Sequence, residues 1–355
     1  MKLTTHLLPV LCALLTLPAA AFAQTSSATT DPVGFVTLNI NGTGGNAPSA
    51  LTFLGLSMTR PVAFEGTVST VSGTTIVCTG ATWADGAFNG TNGPYFVEVT
   101  SGPLAGMMTD IVNTVAATQS LVLISPISGL TGGETIKVRP HWTLPAVFGA
   151  TNSAGLGGSG SVAGADEILV YDPVGQAYQT YYYKTTTYLG GAGWRTSANA
   201  DASQVPLYID EGILIVRKQP APLSVVLTGA VKTGPTLIPI SQGLNFVSNV
   251  YPAAGPSLGT LGASQLFTGS ATTGLAGSGS PAAADLVQFY SFNSAAPSQS
   301  TYTTYYYKTT TYLGGAGWRD SANDNATSVA LPIGQCLIIN RQATGGFLWQ
   351  IPQPF

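Results

Sequence analysis

Few side chains in this sequence can act as a nucleophile or as a general base. Beyond residue 23, His141 is the single histidine, and Cys78 and Cys336 are the cysteines. Catalysis of the Ser-His-Asp or Cys-His type needs a histidine beside the nucleophile. His141 lies in the segment VRPHWTL, beside Trp142, which is typical of a packed histidine at a domain junction. We therefore expect no nucleophilic catalysis, no cofactor and no histidine- or cysteine-rich metal site.

Paired carboxylates offer another route to catalysis, because glycoside hydrolysis needs two carboxyl groups about 5–10 Å apart and no histidine. The candidates lie between residues 166 and 211, and they are Asp166, Glu167, Asp172, Asp201, Asp210 and Glu211. We interpret them as solvated loop carboxylates and predict that the chain is not an enzyme. A single active glycoside hydrolase module is the alternative.

Oxygen ligands suggest one weak metal candidate. Asp320, Asp324 and Asn325 lie within DSANDNAT at 320–327, and calcium prefers oxygen ligands of this kind. The alternative is a turn whose side chains accept hydrogen bonds from local backbone amides. We expect the turn, and therefore no metal.

The segments that carry many of these residues are duplicated. Residues 181–195 read YYYKTTTYLGGAGWR, and residues 305–319 repeat the same fifteen letters at an offset of 124. Upstream the offset is 119, so the second copy has five extra residues. They fall between two strand-like runs, as expected at an exposed hairpin tip. Weaker matches extend the repeat toward the N-terminus: 34–40 with 224–230, and 53–61 with 245–252.

The sequence predicts an all-β fold, with two homologous sandwich-like modules, the first interrupted by a small inserted β-barrel. Short β-branched runs alternate with glycines, charged residues make up only 8% of the chain, and no window keeps a 3.6-residue period. The predicted boundaries are a signal peptide at 1–23, the start of module 1 at 24–61, the barrel at 62–140, the remainder of module 1 at 141–220 and module 2 at 221–355.

The N-terminal segment predicts export. Lys2 and His6 precede an apolar run at 7–23, which ends in a small-x-small triplet before Gln24. No later run has the length of a membrane helix, so we expect no transmembrane segment after signal cleavage. The expected location is the periplasm, the outer surface or the extracellular medium. A net charge of −3 without any basic cluster argues against a nucleic-acid partner.

Charged residues of both signs persist in the two copies of the repeat. The pairs are Asp166/Asp285, Lys184/Lys308, Arg195/Arg319 and Arg217/Arg341. In a chain with so few charges, this pattern indicates structural ion pairs. Because Asp166 precedes one hairpin strand and Lys184 ends the next, we predict that Asp166 lies within salt-bridge distance of Lys184 or Arg195.

Tyr188 and Trp194, repeated as Tyr312 and Trp318, are the candidate binding residues. Each pair flanks LGGAG, whose small residues let a ligand approach, and sugar rings stack on aromatic faces of this kind. The alternative is that the rings stabilise the sheet from within. Burial of both tryptophans would exclude the stacking surface.

Export would permit a disulfide between Cys78 and Cys336. The repeat aligns Cys336 with Gly212, which indicates a position that requires a small buried residue. We therefore expect two free and inert thiols.

Several segments together resemble an uncharacterised family of exported all-β proteins from verrucomicrobial bacteria. They are PVGFV, RPVAFEGTV, YFVEVTSGPLAG, VRPHWTL, ADEILVYD and YYYK…GWR, and they span nearly all of the mature chain. The resemblance implies secretion and no particular chemistry. GLNFVSNVYP at 243–252 also resembles the G-x-N-x-x-x-N-x-Y-P opening of β-modules in bacterial cell-surface proteins, which implies a module type. The first copy lacks both asparagines.

These features together predict an exported, non-enzymatic structural or adhesive protein of the cell surface or the extracellular space. The alternative is a carbohydrate-binding protein that uses the Tyr and Trp faces of the duplicated module. The expected partners are an extracellular polysaccharide or other surface proteins.

Overall fold

The computed structural model of the protein describes residues 31–90, 93–253, 257–261, 273–351 and 353. The predicted signal peptide at 1–23 lies outside these residues. Antiparallel strands form most of the regular structure, which confirms the prediction of an all-β fold. In the described part of the chain, no helix combines the length and the apolar character needed to cross a membrane.

The strands follow one another in short runs separated by glycine-containing turns. In chain order they are β1 (Val33–Ile40), β2 (Ala50–Gly55), β3 (Phe64–Thr67), β4 (Thr70–Ser72), β5 (Thr75–Val77), β6 (Tyr95–Val99), β7 (Met108–Val115), β8 (Ser120–Leu123), β9 (Thr135–Pro140), β10 (Trp142–Thr143), β11 (Glu167–Asp172), β12 (Ala177–Lys184), β13 (Gly193–Thr196), β14 (Pro206–Leu207), β15 (Gly212–Arg217), β16 (Leu223–Ala230), β17 (Thr236–Ile240), β18 (Gly243–Ser248), β19 (Leu286–Ser291), β20 (Thr301–Lys308), β21 (Gly317–Asp320), β22 (Cys336–Arg341) and β23 (Phe347–Ile351). The helices are α1 (Leu144–Phe148) and α2 (Leu258–Leu261).

Two five-stranded antiparallel sheets have the same strand order. The first is β13-β12-β11-β15-β2, and the second is β21-β20-β19-β22-β18. The strands β15, GILIVR, and β22, CLIINR, read as nearly continuous apolar runs because both of their faces are covered. One half of the chain therefore repeats the sheet of the other; the first half comprises β1, β2 and β10–β16, and the second half comprises β17–β23.

A two-stranded ribbon accompanies each sheet. In the first half β1 pairs with β16, with Ile40 opposite Leu223, and in the second half β17 pairs with β23, with Ile240 opposite Phe347. This register makes β17 the counterpart of β1, whereas the sequence alignment matches β1 with β16. The predicted match of 34–40 with 224–230 is therefore wrong, because it joins two strands of one ribbon that both alternate between exposed and buried residues. The predicted boundary also put β16 in module 2, whereas β16 pairs with β1.

The edge strands β2 and β18 bring the two sheets together around an approximate twofold axis. The backbone N–H of Gly55 donates to the carbonyl of Gly334 (3.1 Å). In the counterpart contact, the N–H of Ser248 donates to the carbonyl of Asp210 (2.9 Å). Because each residue of one contact occupies the equivalent position in the other, the two halves are interlocked reciprocally.

Equivalent residues also meet near the axis itself. The rings of Phe53 and Phe246 stack with centroids 5.8 Å apart and planes 4° from parallel. A Cβ atom on Gly212 would lie 2.4 Å from Sγ of Cys336, the residue at the same position in the second half. The packing thus has room for one thiol, and the other copy requires glycine.

The asparagine motif of the second half stabilises backbone turns. The Asn245 side chain accepts from the N–H of Ser241 and donates to its carbonyl, both at 2.8 Å. The hydroxyl of Tyr251 donates to the carbonyl of Gly234 (2.7 Å). Both side chains are buried, so the motif has a structural role here.

Residues 64–140 form a separate seven-stranded sheet of order β3-β9-β6-β7-β8-β5-β4, with an apolar cluster of its own. Its two ends lie side by side, because β3 pairs with β9 and Arg139 Nη1 donates to the carbonyl of Arg60 (2.9 Å). The indole of Trp142 donates to the carbonyl of Met58 (2.8 Å). The chain therefore leaves the first half and returns to it at nearly the same place.

Buried charges connect this insertion to the rest of the molecule. Glu98 on β6 pairs with Lys232, which lies between β16 and β17, and Glu98 Oε2 lies 3.6 Å from Arg139 Nε. Asp31 accepts from Lys137 (2.7 Å) and from Arg139. Glu98, Arg139 and Lys232 are each at most 2% exposed. Removing one member would leave a charge buried without compensation.

We predict that Glu98→Ala lowers the free energy of unfolding by about 3–5 kcal/mol, because Lys232 would stay buried without its partner. Adding Lys232→Met should restore part of the loss. Urea-induced unfolding followed by circular dichroism measures both changes, and Glu65→Ala on the exposed face of β3 is the matched control. An unchanged midpoint for Glu98→Ala would show that the network does not hold the insertion.

The axis generates a second prediction. Gly212→Cys should destabilise the protein by about 1–3 kcal/mol, because the added atoms overlap those of Cys336. Combining it with Cys336→Gly should recover most of that loss, since the thiol then occupies the equivalent space. Thermal unfolding compares the two variants, and a combined variant no more stable than Gly212→Cys alone would contradict the twofold relation.

Candidate functional site

The repeated segment forms two matching loops, which we call the twin loops: residues 185–192 between β12 and β13, and residues 309–316 between β20 and β21. Tyr188 is 76% exposed at the tip of the first, and Tyr312 is 76% exposed at the tip of the second. The adjacent leucines are exposed as well. Each loop therefore presents an aromatic and an aliphatic side chain to solvent.

The tip backbone of each loop has an uncommon conformation. Leu189 and Leu313 have φ values of 50° and 49°, in the left-handed region that residues with a side chain seldom adopt. The two glycines that follow each leucine share this region at lower cost. A leucine kept in such a conformation requires support from its surroundings.

Lys184 supplies that support from beneath the first loop. Its ammonium group donates to the carbonyl oxygens of Tyr188 (2.6 Å) and Leu189 (2.5 Å) and to Oδ1 of Asn199 (3.0 Å). Asn199 Nδ2 also donates to the carbonyl of Leu189 (2.8 Å). Since Lys184 is only 4% exposed, backbone and amide oxygens replace its water shell.

The second loop has the same support. Lys308 donates to the carbonyl of Leu313 (2.5 Å) and to Oδ1 of Asn323 (2.9 Å). The sequence analysis missed both asparagines, although the S-A-N triplet that contains them occurs in both copies. That shared triplet is the signal that would have identified them.

The repeated arginines close each loop from its other side. Arg195 Nη2 donates to the carbonyls of Gly190 and Gly191, and Arg319 Nη2 donates to the two equivalent glycines. The cations of the duplicated segment therefore bind backbone oxygens of the twin loops.

The predicted ion pair between Asp166 and Lys184 or Arg195 is wrong. Asp166 pairs with Arg217 at 2.9 Å, and its counterpart Asp285 pairs with Arg341 at 3.2 Å. Asp166 precedes β11 and lies beside the end of β15, whereas Lys184 extends beyond β12 into the loop. The hairpin geometry correctly placed Asp166 and Lys184 at the same end of the sheet. It did not determine in which direction the ammonium group of Lys184 points.

The prediction of a stacking surface is wrong for the tryptophans. Trp194 and Trp318 are each 2% exposed and belong to the main apolar core. The indole of Trp194 donates to the carbonyl of Gly149 (2.9 Å). A buried indole offers no face to a ligand, so Tyr188 and Tyr312 are the exposed members of the four candidate residues.

The calcium candidates cap their own turn. Asp320 Oδ1 accepts from the N–H groups of Ala322 (2.9 Å) and Asp324 (2.8 Å), and Asn325 Oδ1 accepts from Thr327 (2.9 Å). Among the residues that the structure describes, no group of three or more His, Cys, Asp and Glu side chains is placed to hold a metal ion. These side-chain oxygens thus accept hydrogen bonds from the local backbone.

Cys78 and Cys336 are free and lie in different apolar clusters. Burial raises the pKa of Cys78 to about 11 and also raises the pKa of Cys336 well above its ordinary value. Both thiols therefore stay protonated and poorly nucleophilic at neutral pH.

Several carboxylate candidates have structural partners. Glu167 pairs with Lys218 at 2.7 Å, Asp172 accepts from the N–H of Val174 (2.9 Å), and Asp201 accepts from the hydroxyl of Ser203 (2.8 Å). Asp166 is held by Arg217, as described above. Two carboxylates of the original set remain, and they lie at a cavity.

This junction cavity has a volume of about 220 Å³ and lies where the insertion meets both halves of the molecule. The insertion and its return strand contribute Asp110 and His141, the first half contributes residues 208–211, and the second half contributes Leu237 and Leu348. Asp210 and Glu211 therefore face the insertion.

His141 is buried at this junction, as its segment predicted. Its Nε2 lies 2.9 Å from Asp110 Oδ1, and the hydroxyl of Tyr208 donates to Asp110 Oδ2 (2.7 Å). The imidazole packs against the rings of Phe96 and Tyr208 at 4.7 and 4.8 Å between centroids. The sequence analysis missed Asp110 and Tyr208, because nothing in either local segment indicates a distant partner.

The carboxyl groups of the cavity differ in acidity. Burial tends to raise the pKa of Asp110, but the hydrogen bonds and charge of His141 and the bond from Tyr208 outweigh it and hold this pKa below its ordinary value. Burial raises the pKa of Asp210, and burial together with the nearby Asp210 raises the pKa of Glu211 to about 8. The Tyr208 pKa is also raised, by burial and then by Asp110.

Comparison of the chain with known protein families, curated proteins and solved structures found no match. The functional interpretation therefore depends on the twin loops and the junction cavity.

We predict that Glu211 makes stability decrease as the pH rises. Its pKa is higher in the folded chain, so the folded state holds the proton more tightly between about pH 4.5 and 8, and stability is lost across this window. Across this window the free energy of unfolding of the wild-type protein should fall by on the order of 3 kcal/mol relative to that of Glu211→Gln. One pKa unit is worth about 1.4 kcal/mol, and water screens the partly exposed group.

Urea unfolding at pH 5, 6, 7 and 8 measures this difference. Glu65→Gln on the exposed face of β3 controls for the loss of a negative charge. Parallel stability curves for the wild-type protein and Glu211→Gln would contradict the prediction.

Proposed function

We propose that the chain is an exported, non-enzymatic structural or adhesive protein that attaches to its partner through the twin loops. The observation that carries the proposal is the duplication of an exposed Tyr-Leu tip on a tightly supported backbone. Side chains on a backbone that is already held in one conformation require less ordering on binding. Two such tips on one molecule raise the overall avidity when both engage the partner at once.

The support beneath the tips favours a binding role over a purely structural one. A buried lysine without a carboxylate partner is costly, and a shorter turn would join the same two strands without it. Lys184 and Lys308 instead stabilise backbone whose outward side is Tyr188-Leu189 or Tyr312-Leu313. The unfavourable burial of the two lysines thus stabilises the shape of an exposed surface.

The second candidate function is carbohydrate binding through the exposed tyrosines alone, since burial of Trp194 and Trp318 excludes the Tyr-Trp stacking surface. Each exposed tyrosine follows three consecutive exposed threonines, 185–187 in the first loop and 309–311 in the second. A phenol ring stacks on the C–H face of a sugar while neighbouring hydroxyls exchange hydrogen bonds with it. This combination supports a polysaccharide as the partner, with other surface proteins as the alternative.

We predict that Tyr188→Ser combined with Tyr312→Ser reduces retention of the mature protein on its partner surface at least tenfold. Each single variant should lie between this double variant and the wild-type protein, because one tip remains. Retention is measured by co-sedimentation with insoluble cellulose, with chitin and with envelopes of the source cells. The melting temperature should stay within a few degrees, since both side chains are exposed.

Val174→Ser is the matched control, because Val174 is 84% exposed at a hairpin tip outside the twin loops. Retention on envelopes that disappears after protease treatment identifies a surface protein as the partner, and retention on a polysaccharide identifies a sugar. A double variant that is retained like the wild-type protein on every surface would overturn the proposal.

A further inference from the structure

The junction cavity contains more carboxyl groups than its neighbouring cations compensate. Asp110 is bound by His141 and Tyr208. Asp210 and Glu211, in contrast, form no ion pair within the part of the chain that the structure describes. For both side chains the loss of water on burial is the dominant electrostatic influence. Burial raises the pKa of Asp210 by more than the nearby charges of His141 and Lys232 lower it, so the cavity is short of positive charge.

The walls around these carboxyl groups are largely apolar. Phe96 and Met108 come from the insertion, and Leu237 and Leu348 come from the second half. Leu348 is 48% exposed, so the cavity reaches the surface there. A volume of about 220 Å³ equals the liquid volume of roughly seven waters, which suits a small organic molecule.

Another polar group in the cavity wall has no hydrogen-bond partner among the described residues. His141 lines the cavity and is 3% exposed, and its Nδ1 makes no hydrogen bond with any described residue. Buried polar atoms usually have a partner, and one that has none indicates an absent water or ligand. This observation is independent of the carboxyl groups.

The approximate twofold axis provides an internal comparison. The counterparts of Glu211 and Pro239 are Gln335 and Asn39, and these two residues line another cavity of about 290 Å³. No residue of the insertion lines that second cavity. Asp210 and Glu211, in the copy that the insertion covers, thus stand where the second half has the uncharged residues Gly334 and Gln335.

We propose that the junction cavity binds a small organic cation, a primary ammonium group on an apolar body, with the ammonium group beside Asp210 and Glu211 and the body against Phe96 and Met108. The ammonium charge supplies the compensation that the protein itself lacks. The ring of Tyr208, which also lines the cavity, adds attraction for a cation. The site uses no residue of the twin loops, so it is separate from the adhesive surface.

The chemistry of the walls also determines which ligands the cavity rejects. An anion would disfavour the ionised forms of Asp210 and Glu211, and a neutral molecule of the same shape would form no ion pair with either carboxyl group. Binding of an ammonium group stabilises the ionised form of Glu211, so a proton leaves the protein at neutral pH. Proton release therefore accompanies binding of the cation and not binding of a neutral analogue.

Isothermal titration calorimetry of the full mature chain tests the proposal with 2-phenylethylamine and its neutral analogue 2-phenylethanol. We expect saturable binding of the amine at pH 7 and at least tenfold weaker binding of the alcohol. Repeating the titration in buffers of different ionisation enthalpy should reveal proton release for the amine. Equal affinity for the two probes, or no saturation with the amine at millimolar concentration, would overturn the proposal.

Variants locate the binding at these residues. Asp210→Asn combined with Glu211→Gln should weaken amine binding at least tenfold and abolish the proton release. Gln335→Asn, at the position in the second half that corresponds to Glu211, is the matched control and should bind the amine like the wild-type protein. Circular dichroism verifies that each variant is folded. Full amine affinity in the double variant would show that the carboxyl groups are not the site.

Discussion

The reciprocal contacts that β2 and β18 each make with the opposite half are the constraint on which the rest of the structure depends. Each of these edge strands ends by donating a backbone amide to the loop that precedes the last sheet strand of the other half, Gly55 to Gly334 and Ser248 to Asp210. A buried amide without a partner costs about 1–3 kcal/mol, so the paired contacts fix the orientation of the halves. The same contact holds Asp210 and its neighbour Glu211 at the site that the insertion covers.

Charge has an unusual use in this molecule. Only 8% of the residues are charged, and many of the buried ones bind backbone groups of irregular segments. Lys184 holds carbonyl oxygens of a loop tip, and Asp166 accepts from the N–H of Gly157 in a glycine-rich run. Glycine-rich loops have high conformational entropy, which a buried ion with several directed hydrogen bonds can offset. Ordinary hydrophobic packing cannot replace such bonds, because it leaves the backbone groups unsatisfied.

The all-β fold could be predicted from the sequence, because strand-like runs and the shortage of charged residues do not depend on tertiary contacts. The position of each side chain relative to the surface could not. Trp194 and Tyr188 are six residues apart in one duplicated segment, yet the first is buried and the second exposed. The direction of Lys184 depends on the path of the following loop, and the grouping of His141 with Asp110 depends on how the insertion folds back. Both are tertiary properties without a local pattern.

The Gly212–Cys336 contact has a consequence for how a duplicated gene can diverge. Most residues of one half do not contact their own counterparts in the other half. Both copies can therefore keep the same residue at equivalent positions, as they do at fifteen consecutive positions. A residue on the axis meets its own counterpart, and here the space admits a single side chain. Two copies of the second half assembled as a homodimer would place two thiols in that space. Fusion into one chain removes the requirement for identity, so the two positions that meet at the axis can hold different residues.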